Sequence, residues 1–364
     1  MSHDPKPAGS MPWLDDAIDA GSSRGGDSTG VVVMTQGLSI GFLGLVGWVL
    51  IGFVDRGEET RDKKDIGQHR EIPVDAMIGS LAFAPDGRGL AVATRDGRVM
   101  TWDLKRSRPV RSTSWDWTPR VAFSPDGRTL AATGSNASVG LWDPGSGEMV
   151  DRIDIEGGQL HRLAFAPDGR TLALGGRDGG LVLWDLADGS IRAQAELGRF
   201  VGALAYAPDG REVATGGVDG VVTLWDSRDL RRLRSFRAQA LQIHGLAFAP
   251  RGKALATSGS VDEVVRVWDP ETGRALAELP GHRCGAPALA FSHDGALLAA
   301  ARGDGSISLW DARTWRRVAI VKGPRAWLGA IAFAPDGRSL ATGGDDRTLR
   351  IWDGSSWAKP RKAG

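Results

Sequence analysis

The stretch IAFAPDGRSLATGGDDRTLRIWD, residues 331–353, decides the fold, because near-copies of it recur upstream and cover more of the chain than any other pattern. It holds an apolar triplet, a Pro-Asp-Gly turn, a short Leu-Ala run, a second turn and an alternating run that closes on Trp-Asp. The Trp-Asp pairs begin at Trp102, Trp142, Trp184, Trp225, Trp268, Trp310 and Trp352, so successive copies lie 40 to 43 residues apart. A period of that length is one supersecondary unit repeated, and a single unit cannot bury its own core. The 364-residue chain therefore reads as one repetitive domain with attachments rather than as two or three separate domains.

Within each unit, period-two runs such as TLRIW and GLVLW, bounded by Gly, Asp and Pro, read as half-buried strands. No amphipathic helical period of useful length follows residue 66, so the body is all-β. The Pro-Asp-Gly turns, as at Pro85-Asp86-Gly87 and Pro335-Asp336-Gly337, join the first two strands. Pro presets the first φ, Asp bonds locally to the backbone and Gly supplies a positive φ. Pro250-Arg251-Gly252 and His293-Asp294-Gly295 are weaker variants.

These units, with LAFxPDG, LATGG and VxLWD at a spacing of about 42 residues, resemble the Trp-Asp repeat (WD40) family of β-propellers over residues 81–353. The resemblance implies a seven-bladed propeller of four-stranded antiparallel blades, with the apolar triplet on the innermost strand and each Trp packing between blades. It also implies protein partners. Members often pin each blade with a hydrogen-bonded His, Ser/Thr, Asp and Trp. Here the Asp is kept at Asp96, Asp178, Asp219, Asp262, Asp304 and Asp346, with Asn136 in the remaining unit, but the other members are eroded. Only His282 stands at the His position, and Thr215, Ser258 and Thr342 are assigned to the Ser/Thr slot. The aspartates are accordingly read as turn builders.

The segments before the repeats differ in kind. Residues 1–30, rich in Pro, Gly, Ser and Asp, read as a disordered acidic tail. Residues 31–54, VVVMTQGLSIGFLGLVGWVLIGFV, carry no charge and would reach ~36 Å as a helix, enough to span a bilayer. A cleaved signal peptide is opposed by the missing basic start and by Asp55-Arg56 at the end of the apolar run. Gly37 and Gly41 would permit a weak helix dimer. Arg56, Arg61, Lys63, Lys64 and Arg70 follow the segment while Arg24 alone closely precedes it, which places the propeller in the cytoplasm. Residues 55–65 read as a charged linker and 66–364 as the propeller, giving a single-pass, membrane-anchored protein that resembles membrane-anchored WD-repeat proteins of bacterial type.

The net charge is +1, split into −4 on residues 1–65 (6 Lys/Arg, 10 Asp/Glu) and +5 on the rest (39 against 34), which gives no field suited to nucleic acid. The single cysteine, Cys284, forms no intrachain disulfide. Histidine and cysteine are scattered without metal-ligand spacing, and GGRDGG at 175–180 lacks the Lys-Ser/Thr of a phosphate loop, so no metal, cofactor or catalytic residue is expected and a protein-interaction scaffold is the reading. The alternative is a small-molecule sensor or enzyme that uses the mouth of the propeller channel, where residues of different blades converge.

Two further expectations concern placement. The last unit needs an outer strand after Asp353, from 66–74 or from 357–362. Trp357 lies five after Trp352, as Trp315 lies five after Trp310, but Lys359-Pro360-Arg361-Lys362 has lost the apolar alternation that Ile66, Ile72 and Val74 keep. The N-terminal segment is the choice, and loss of 356–364 is expected to leave stability nearly unchanged. Four residues before the triplets stand Met77, Trp117, Gln159, Phe200, Gln242, Gly285 and Trp327. With Trp115, with Arg95 and Arg177 ahead of their turn aspartates, and with His161 and His244, they compose an aromatic and arginine rim suited to a protein partner.

Overall fold

A computed structural model of the protein describes residues 68–354 and 357, apart from 107, 116–119, 135–136, 157–158, 260–261 and 282–284. The acidic tail, the charge-free stretch 31–54 with Gly37 and Gly41, the linker, Trp117, Asn136, His282 and Cys284 lie outside the described residues. Among the described residues no helix is long and apolar enough to cross a membrane.

The repeats form seven four-stranded antiparallel sheets. Blade one comprises Ile78–Phe83, Gly89–Thr94, Arg98–Asp103 and Arg108–Ser114 in that order from the centre outward. Blades two to six follow the same order within 121–154, 160–196, 201–237, 243–280 and 288–321. The innermost strands of neighbouring blades touch one another all the way round, including the first with the seventh. Blade seven takes Leu328–Phe333, Ser339–Gly344 and Thr348–Asp353 from the C-terminal end and His69–Pro73 from the N-terminal end as its outer strand.

That closing strand runs antiparallel to the last repeat strand, His69 opposite Trp352 and Pro73 opposite Thr348. Ile72 and Val74 are buried, the His69 ring lies 4.3 Å from that of Trp352, and Glu71 holds Arg350 at 2.8 Å. The N-terminal segment thus closes the ring. The expectation that the C-terminal segment is dispensable fails, however. Trp357 is only 3% exposed and packs with Leu297, Leu309, Leu340 and Trp352, so the chain end contributes a core side chain without contributing a strand.

Every sheet has two apolar faces, and only its neighbours can cover them. Seven buried clusters accordingly occupy the seven seams. Each Trp-Asp tryptophan packs onto the preceding blade: Trp352 onto blade six, Trp310 onto five, Trp268 onto four, Trp225 onto three, Trp184 onto two, Trp142 onto one and Trp102 back onto blade seven. The paired glycines at the end of the second strand have a seam role as well. A Cβ at Gly216 would lie 2.6 Å from Ile243 Cγ2, and one at Gly343 the same distance from Ile78 Cγ2, so these positions are sockets for the next blade's first apolar residue.

The eroded tetrad is a partial one. Trp225, Trp268 and Trp352 donate Nε1–H to Thr215, Thr257 and Thr342 at 2.8–2.9 Å. In blade five the acceptor is therefore Thr257 and not Ser258. A one-residue step reverses the face of a strand, and Ser258 instead donates to Ala286 O at 2.5 Å. Val92 occupies the equivalent position in blade one, two residues after the Trp102 partner Leu90, and Trp102 Nε1–H is buried without an acceptor.

Candidate functional site

The two rims of the ring are built by different turns. On one rim the Pro-Asp-Gly turns and the turns after Trp-Asp meet, as in the bonds from Leu104 N to Arg88 O and from Ser227 N to Arg211 O. Asp86, Asp126, Asp168, Asp209, Asp294 and Asp336 each accept the N–H two residues on, at 2.8–3.0 Å. This rim is local backbone architecture.

On the opposite rim the segment before each innermost strand meets the turn between the second and third strands. Arg95 N donates to Met77 O, Arg177 N to Gln159 O, Gly303 N to Gly285 O and Asp345 N to Trp327 O, all at 2.7–3.2 Å. Residues four before the triplets and residues beside the turn aspartates therefore share one surface. The turn aspartates hold it in shape: Asp178, Asp219, Asp304 and Asp346 accept the N–H two residues on. Asp96 takes Thr94 Oγ1–H at 2.5 Å and Arg98 Nε–H at 3.0 Å. Asp262 reaches across to Ala240 N at 3.0 Å, tying its turn to the segment that enters blade five.

The rim side chains fall into distinct groups. Met77 is 37% exposed, and Arg95 beside it faces Asp345 of blade seven at 3.2 Å. Trp327 is half-buried, and Arg177 is exposed. Phe200 is half-buried with its ring centroid 5.0 Å from that of His161. Trp115 turns inward: its ring meets Trp142 edge-on at 5.0 Å, under the Arg152 guanidinium, and its Nε1 is buried without an acceptor. It packs the seam between blades one and two.

Sequence comparison at two alignment columns missed four residues. Val218, in the column of Arg95 and Arg177, is 43% exposed, and Leu241, one residue before Gln242, is 54% exposed. The column just before the triplets reads Ser80, Arg120, Arg162, Ala203, Gly245, Ala288 and Ala330. It sets two arginines at the heads of the adjacent innermost strands of blades two and three, at the rim end of the channel that the innermost strands surround. Arg162 Nε–H donates to Gly202 O at 2.7 Å, Arg120 donates to Gly79 O, and Arg162 Nη1 lies 2.9 Å from His161 Nε2.

Burial sets the charge states here. It lowers Arg120 to about 10, helped by the charge of Arg95, and lowers Arg162 well below its ordinary value, helped by Arg120 and Arg177. His161 is pushed down to about 2 and His244 to about 4, first by burial and then by the charge of Arg162. The mouth at neutral pH is therefore cationic through its arginines, with both imidazoles neutral. Among the described residues no three His, Cys, Asp or Glu side chains gather as a bound metal ion would need.

The sign of the resulting pH dependence follows. Between the unfolded histidine value near 6.5 and these depressed values, the unfolded chain binds protons that the folded chain does not. Stability is present above pH 6.5 and falls on acidification, by up to about 1.4 kcal/mol per pH unit for each histidine. Melting from pH 7 to pH 5 should show this decline, and His161→Gln with His244→Gln should flatten it; an unchanged slope would place the proton uptake elsewhere.

The family model for the WD domain, G-beta repeat, matches residues 68–103, 112–143, 156–185, 194–226, 230–269, 273–311 and 315–353. The chain belongs to the WD40 family. Its first matched segment begins with the strand that closes the ring. A search of curated proteins gives no match. WD40 propellers are typically protein-interaction scaffolds and generally not enzymes. Two apolar groups on the rim of this WD40 ring suit that use: Met77 with Trp327 on blades one and seven, and Phe200, Val218 and Leu241 on blades four and five.

Proposed function

We propose that this WD40 propeller is a non-enzymatic, cofactor-free scaffold that captures a protein partner on the rim carrying Met77, Arg95, Arg177, Phe200, Val218, Leu241 and Trp327. The observation that supports the reading most is the exposure of Met77, Val218 and Leu241 on the rim, beside aromatics and arginines. Apolar and aromatic side chains with arginine are the composition enriched at binding hot spots. Trp117, four before its triplet like Phe200 and Trp327, belongs to the same proposal. Phe200→Ala and Trp327→Ala should each weaken capture by ~2 kcal/mol, about 30-fold, with a smaller change in melting temperature. If both variants melt early while their folded fraction captures partner normally, the side chains are packing and the rim is not the interface.

The charge-free stretch 31–54 supports a single-pass membrane anchor with the propeller on the cytoplasmic side. It also supports a weak homodimer through Gly37 and Gly41. Under this reading the full chain stays in the membrane pellet through a carbonate wash, and protease added to intact cells spares the propeller. Alkaline release would remove the anchor, and digestion from outside would reverse its orientation.

A further inference from the structure

Arg120, Arg162 and Arg177 lie close enough together for the first and third to act electrostatically on the second, yet none forms an ion pair with a carboxylate among the described residues. Among the described residues, the acids of the turns on the same rim are engaged elsewhere. Asp345 faces Arg95, Asp96 faces Arg98, Asp219 faces Arg199, Asp262 faces Arg266, Asp304 faces Arg302 and Asp346 faces Arg350. Asp178 accepts the N–H of Gly180.

The arginines are nevertheless held. Arg120 is fixed to Gly79 O of blade one and Arg162 to Gly202 O of blade four. A guanidinium carries five N–H donors in a planar fork, so most of the Arg120 donors and several of those on Arg162 have no acceptor among the described residues. Their unpaired nitrogens are not sealed from solvent. The rest of the column is small, with Ser80, Ala203, Gly245, Ala288 and Ala330, so no long side chain from it competes for the mouth.

Holding unpaired cations together in a partly desolvated place is unfavourable. Planar, fixed N–H forks with unused donors are what an oxyanion requires. We propose that the mouth of the channel, at Arg120, Arg162 and Arg177, is a binding site for a phosphate group, free or carried as a monoester. His161 and His244 flank it as neutral imidazoles, able to hydrogen-bond the anion without adding charge of their own. Arg177 belongs to both surfaces, but Arg120 and Arg162 are not among the residues proposed to capture the partner, so replacing these two tests phosphate binding apart from partner capture.

The test uses the full-length protein in detergent, melted in rising inorganic phosphate against chloride at matched ionic strength. The wild type should gain several degrees in phosphate. Arg120→Met with Arg162→Met should lose that gain while melting at or above the wild type without phosphate, because the change removes two uncompensated charges. Histidine NMR resonances give a second readout that does not depend on the variant folding: phosphate should raise the titration midpoints of His161 and His244 by relieving the arginine field. A phosphoserine peptide binding at least tenfold tighter than inorganic phosphate would assign the group to a macromolecular carrier, and equal affinity would assign it to free phosphate; both support the site. Absence of any phosphate-specific shift in melting and in the histidine resonances, or an undiminished shift in the double variant, would overturn it.

Discussion

Deletion of residues 68–74 lowers the melting temperature by about 10 °C or more. The segment supplies the whole outer strand of blade seven and buries Ile72 and Val74. Burial of two such side chains stabilises by about 1.5–3 kcal/mol each, and each kcal/mol moves the midpoint of a domain this large by about 2–4 °C. The loss has two further parts. Arg350, buried on its strand, loses Glu71, and the outer edge of the Thr348–Asp353 strand becomes an unpaired template for other chains. Thermal melting with a light-scattering channel should show both early unfolding and aggregation. A deletion variant melting within about 2 °C of the full chain, on that same scale, would mean that the ring closes without this strand.

Trp352→Ala should destabilise by about 3–5 kcal/mol, the range for deleting a buried aromatic. The side chain is 1% exposed in the seam between blades six and seven, and its loss also strands the Thr342 hydroxyl. Denaturant melts at unchanged m-value would measure this, and a cost under about 1 kcal/mol would show the seam relaxing to fill the cavity. The converse change is Val92→Thr. It offers the orphaned Trp102 Nε1–H the acceptor that Thr215, Thr257 and Thr342 give elsewhere, and should add about 1 kcal/mol. No gain would mean that the hydroxyl does not reach the ring.

What the sequence made legible was whatever repeats. The Trp-Asp spacing, the Pro-Asp-Gly turns and the period-two runs each recur at a fixed offset, so strand order and the number of blades could be read from them. The closing strand was legible because Ile72 and Val74 keep an apolar alternation that the Lys-Pro-Arg-Lys run lacks. Trp357 was not, because a single buried side chain leaves no period. Thr257 against Ser258 is a choice between two hydroxyls one residue apart, and only pairing with the Trp268 strand decides which faces the indole.

The rim shows the same division. The shared surface of the two loop sets followed from blade topology, while burial separated Trp115, which packs on Trp142, from Met77, which stands in solvent. Arg120 and Arg162 passed unnoticed because one charged residue at the head of a strand reads as ordinary surface. Their meaning appears only when the ring brings together positions 42 residues apart and, among the described residues, most of the rim's aspartates prove to be paired with other arginines.

The most direct test of the rim as the working surface is hydrogen exchange on the propeller alone and with its captured partner bound. The account predicts slowed exchange in the segments before the innermost strands and in the turns between second and third strands, above all around Met77, Arg177, Phe200, Val218, Leu241 and Trp327. Protection confined to the outermost strands, or to the Pro-Asp-Gly turns on the opposite rim, would contradict it.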